Sequence, residues 1–123
     1  QNVVASSVFH GISHAKERRG TDLAITHSSY GAPSQVRVAA IGALGSIGKE
    51  LQTEKGGGKI VKHLLTLLGD PDHRVRASTI RALGKIGDKS ALPDLRERQR
   101  HECLDFIRSA ILDSISSLEE TGK

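Results

Sequence analysis

The 123 residues carry a net charge of +4, with 26% charged, 37% hydrophobic and only 2% aromatic side chains. That length suits one domain able to bury a core unaided by metals or crosslinks, and a lone cysteine, Cys103, excludes an intrachain disulfide and accords with a reducing, cytoplasmic setting. No apolar run approaches the ~20 residues needed to cross a bilayer, and the opening QNVVASSVFHGISH lacks the basic start and long apolar middle of a signal peptide, so no membrane partner is expected.

With so few aromatics, the core must be built from Ala, Leu, Ile and Val, of which Ala and Leu favour helix. In chain order, residues 3–12 predict a first helix with Val4, Val8 and Ile12 on one side. Residues 19–29 predict a weaker one, carried by Leu23, Ala24 and Ile25. GAPS at 31–34 breaks the chain, with Ser34 read as the cap of the next helix, which runs through residues 36–48. TEKGGG at 53–58 predicts a mobile glycine loop, and it lacks the Lys-Ser/Thr that would complete a phosphate loop. Residues 58–68 then place Ile60, Val61, Leu64, Leu65 and Leu68 on one helix face. GDPD at 69–72 supplies a glycine stop and Asp72 as N-cap for a helix over 75–87. Gly87 ends it, Ser90 caps the next helix at 90–100 with Pro93 in its first turn, and residues 107–118 form the last. Cys103 reads as a small, partly buried residue at a helix start.

The longer helices are copies of one another. VRVAAIGALGSIG (36–48) and VRASTIRALGKIG (75–87) agree at eight of thirteen positions, 39 residues apart. IRSAILDSISSL (107–118) is a degenerate third copy, and residues 8–12 are the trace of an earlier one. Ile12, Ile47, Ile86 and Leu118 then mark one recurring core position, spaced by 35, 39 and 32 residues. A stripe of this kind cannot be buried by one unit alone, so each copy must stack on the next.

The phrase D-x-x-V-R-x-x-[AS]-[AT]-I-x-A-L-G-x-I-G stands whole at 72–87 and imperfectly at 33–48. It resembles the HEAT-like repeats of phycobilisome (bilin) lyases over roughly residues 3–120. The resemblance implies an all-α, right-handed α-α superhelix of the HEAT/armadillo type, about seven helices in three and a half repeats. It also implies that the Val-Arg helix lines the inner surface, and that Asp72 and Arg76 are a structural pair orienting a turn or bridging to a neighbouring repeat. Residues 9–48 are further similar to the helical C-terminal region of prokaryotic gluzincin zinc aminopeptidases, where YG-x-P-x-x-VR-x-A introduces a helix. On that likeness the segment shapes access to an active site whose zinc and H-E-x-x-H lie elsewhere in the parent. The opening Gln1, the missing methionines and the half-repeat at the start favour a fragment of a longer chain, with residues 1–123 forming one domain.

Chemistry within these residues finds little support. His10 and His14 stand at i, i+4, but Gly11 follows His10 where a zinc peptidase has its general base. Deoxyhypusine hydroxylases hold iron on HEAT-like repeats with paired His-Glu motifs, whereas His101-Glu102 is single here. No catalytic residue, metal ligand or cofactor is therefore expected in this segment. The positive charge gathers between residues 73 and 104, where Arg74, Arg81, Arg96, Arg98 and Arg100 form a candidate interaction patch. A nucleic-acid groove would need cations repeated in register. The counterparts of Arg81 are Gly42 and Asp113, and those of Lys85 are Ser46 and Ser117, so the charge does not propagate. The expected function is a non-catalytic scaffold that binds its own catalytic domain or another protein. A stand-alone adaptor, a bilin-lyase-like protein and a nucleic-acid binder are the alternatives.

Overall fold

The computed structural model describes residues 17–29, 31–51 and 57–120. Among the described residues six α-helices follow one another: α1 (Glu17–Ser28), α2 (Ser34–Leu51), α3 (Gly57–Thr66), α4 (His73–Ile86), α5 (Leu92–His101) and α6 (Asp105–Glu120), with a 3-10 turn at Lys89–Ala91. No strand occurs among the described residues. The helix predicted at 3–12, with its core position Ile12, lies outside them, as do His10 and His14.

Local chemistry sets several boundaries. Asp72 is extended and accepts the Arg74 N–H, capping α4, while Gly87 closes it at φ 81° in the left-handed region. Pro93 lies in the first turn of α5, where a missing N–H leaves no bond unmade. Three local expectations are corrected. Gly57 already belongs to α3, one residue before the expected start at Gly58, instead of to the glycine loop. Asp88, not Ser90, caps the turn before α5: its carboxylate accepts the Ser90 N–H. Ser34 is the first residue of α2, and its hydroxyl reaches across to Asp72.

Helices α2, α4 and α6 lie side by side in one layer, with α1 against α2, α3 against both α2 and α4, and α5 against α6. Ile41, Leu44, Ile80, Leu83, Ile107 and Ile111 from the long helices meet Ile60, Leu64 and Leu95 from the short ones in a single core. Each such side chain contributes roughly 1.5–3 kcal/mol by leaving water. The recurring core position is buried in all three described copies, at Ile47, Ile86 and Leu118. In α1, Ala24 is buried and Ile25 partly so, but Leu23 turns outward.

Glycine sets the spacing of the long helices. A Cβ added at Gly45 would lie 3.1 Å from the Ala82 Cβ, and one at Gly84 would lie 2.8 Å from the Ser114 Oγ. Neighbouring backbones approach this closely because the leading helix has no side chain at that place. The helices are also in register: Lys85 donates to Ser46 at 3.0 Å, 39 residues away, joining equivalent positions of two copies.

Candidate functional site at the helix N-termini

The densest polar chemistry gathers where the turns at 31–33, 69–72 and 102–104 lead into α2, α4 and α6. Arg37, in the first turn of α2, grips both oxygens of Asp70 at 2.6 and 3.1 Å and donates through Nε to the Ser28 carbonyl at 3.0 Å. Arg37 and Asp70 are only 4% and 8% exposed, so this bidentate pair is withdrawn from water. Arg76 occupies the same place on α4. It holds Glu102 at 2.9 and 3.1 Å and donates back to the carbonyls of Asp70 and Pro71 at 2.9 and 3.3 Å.

Each arginine thus binds backbone carbonyl before its own helix, Arg37 at the end of α1 and Arg76 in the preceding turn, together with the carboxylate of the turn after it. Each carboxylate in turn accepts a backbone N–H two residues on: Asp72 to Asp70 at 2.9 Å, Leu104 to Glu102 at 3.1 Å. A ladder results in which every rung joins two successive repeats. The Asp72 and Arg76 side chains each have other partners than one another; Asp72 links the starts of α2 and α4 through Ser34, and Arg76 links α4 to the turn before α6.

Protonation follows from these contacts. Burial alone would raise the Glu102 carboxyl, but the hydrogen bonds from Arg76 and Leu104 and the charges of Arg76 and Arg98 hold it below its ordinary 4.5. The Ser34 hydroxyl is the main cause holding Asp72 below 3.8, aided by the Arg74 N–H and the charges of Arg74 and His73.

The five arginines of the predicted patch divide between two helices. Arg74 and Arg81 are exposed on α4, Arg74 beside the Asp72 carboxylate. On α5, Arg98 turns inward, its Nε 3.4 Å from Glu102, while Arg96 pairs with Glu119 at 2.7 Å and Arg100 with Glu97 at 3.5 Å. The last two pairs are exposed and worth little, about 0–1 kcal/mol each. Sequence reasoning missed Asp70 and Glu102 as acceptors. The available signal was an acid six residues before the Arg of the next copy, present twice and replaced by Gly31 before Arg37.

The remaining candidates resolve into structural roles. The His101-Glu102 dipeptide is split, with His101 bonded to Glu97 at 2.8 Å on the surface and Glu102 turned inward to Arg76. Ser28 and His63 look like a nucleophile and its base at 2.8 Å, yet Ser28 is wholly buried and donates to the Ile25 carbonyl at 3.0 Å. Its oxygen is left to accept from His63, so the pair fastens α1 to α3, and burial keeps His63 below its ordinary 6.5. Cys103 is exposed, contrary to the partial burial expected of it, because the turn before α6 points it to solvent. Among the described residues no three His, Cys, Asp or Glu side chains group as metal ligands. No described helix is long and apolar enough to cross a membrane.

Paired helices in two layers, repeated by lateral stacking with one ladder of turn contacts, define an α-solenoid. Residues 23–116 match the HEAT-repeat family, and the chain belongs to it. A search among curated proteins finds no match.

Proposed function

We propose that this chain is a non-catalytic interaction scaffold of the cytoplasm, built to present a helical surface to another protein. The observation that carries this reading is where the polar chemistry goes: Arg37, Asp70, Arg76 and Glu102 are consumed in joining repeats, leaving Arg74, Arg81 and Arg100 as outward cations. A protein offering acidic side chains suits that surface, and the parent's own catalytic domain would be the partner if the parent is a zinc aminopeptidase. Photo-crosslinking residues placed at positions 81 and 100 test the reading in cells. A discrete protein adduct supports it; nucleic-acid adducts or none overturn it. The peptidase form is tested on the gene: an H-E-x-x-H segment in the same reading frame upstream of Gln1 supports it, and a frame without one removes it.

A further inference from the structure

The ladder has a further rung that no described residue fills. Arg108 stands on α6 where Arg37 and Arg76 stand on α2 and α4, six residues after the carboxylate that closes the previous rung. Arg37 and Arg76 each hold a carboxylate with two nitrogens. The Arg108 side chain is exposed, with no hydrogen-bond or ion-pair partner among the described residues. One turn along the same face, Ile41 and Ile80 are fully buried, whereas their counterpart Leu112 is 51% exposed. The same cation and the same aliphatic contact are therefore laid out a third time, without their complement.

The rest of that face restricts what fits. Where α2 and α4 carry Gly45 and Gly84 against the next helix, α6 carries Ser116, and the place of Gly48 is taken by Glu119. These side chains stand where α2 and α4 have none, so the C-terminal half of α6 disfavours an approach as close as that of α4 to α2, and the occupant is placed over the N-terminal half, where Arg108 and Leu112 are. A head-to-tail copy docking through its 31–33 turn would bring Gly31, not a carboxylate. We infer that the Arg108–Leu112 face docks a separate protein through an acidic turn: an Asp or Glu accepting both Arg108 nitrogens, flanked by an aliphatic residue against Leu112. This builds on the scaffold reading but concerns a different surface from positions 81 and 100.

The test titrates the 15N-labelled full chain with a synthetic peptide copying residues 67–75 (LLGDPDHRV), which carries the Asp70 turn and two leucines. The expectation is saturable shifts confined to residues 104–112, with weak affinity on the order of millimolar for one bidentate pair and little buried area. Arg108→Gln, and Asp70→Asn in the peptide, should each weaken binding about tenfold or more, while Arg81→Gln leaves it unchanged. Both protein changes are at exposed positions, and a melting curve verifies the fold. Shifts that survive Arg108→Gln, map elsewhere, or fail to saturate at ~10 mM peptide overturn the inference. Crosslinking from positions 81 and 100 in the Arg108→Gln chain separates this failure from failure of the scaffold reading, because that surface is untouched.

Discussion

Arg37 and Asp70, 33 residues apart, meet in a buried bidentate ion pair at 2.6 Å that fastens the first turn of α2 to the turn before α4. The attraction is offset by the desolvation of both groups, so the pair's net contribution is modest, but removing one partner strands the other charge. Arg37→Ala is expected to cost about 3–5 kcal/mol by that route. Replacing both partners, Arg37→Met with Asp70→Leu, should recover most of the loss. Urea denaturation of the single and double variants checks this; equal losses would show that the pair attracts more strongly than its desolvation costs.

Acid should loosen the ladder at its second rung. Glu102 in the unfolded chain takes up a proton near 4.5, whereas in the fold it resists protonation to lower pH. Its stabilisation is therefore complete above 4.5 and is lost as pH falls through the folded value. His63 acts earlier: unfolded it protonates near 6.5, and in the fold burial opposes the charge, so stability begins to decline below 6.5. Melting temperatures across pH 7 to 3 should fall in the native chain; Glu102→Gln flattens the acid limb and His63→Gln the milder one.

Two glycines one helical turn apart should respond oppositely to alanine. Gly42 faces open space, with nothing within 4 Å of an added Cβ. Gly42→Ala should stabilise α2 by about 0.5–1 kcal/mol through helix propensity. At Gly45 the same change sets a Cβ 3.1 Å from Ala82 Cβ and 3.2 Å from its Cα, against backbone that cannot swing away. Overpacking costs of about 1–3 kcal/mol should then exceed the propensity gain. Thermal melts of both variants decide the sign.

Thr79 is fully buried, and its hydroxyl finds no partner. The equivalent residues of the other copies are Ala40 and Ile111, both apolar and buried. Thr79→Val keeps the shape and removes an unsatisfied polar atom, so it should stabilise by about 1 kcal/mol. A lower urea midpoint for the variant would mean that the hydroxyl has a partner after all.

The long helices were readable because their pattern is written three times, and the recurring core position is buried in each described copy, as the repetition requires. The caps at Asp72 and Gly87 were readable from single residues, since an Asx side chain and a left-handed glycine act locally. Ser34 and Ser90 were misplaced because a serine's hydroxyl can serve its own backbone or a neighbour, and the choice is made by tertiary contacts. The ladder was half legible: Arg76 stands in a conspicuous motif, but Glu102 hides in a dipeptide whose two side chains point opposite ways. A carboxylate reveals its partner only when stacking has brought separate turns together.

The placement of α4 has a mechanical consequence. It is the described long helix with a long neighbour on each flank, setting Ala82 against Gly45 on one side and offering Gly84 to Ser114 on the other. A load applied at α6 can peel that helix and break the Arg76 grip while the Arg37 joint survives, so the array yields in stages. Damage to α4 itself severs both seams at once and leaves α2 and α6 without a common neighbour.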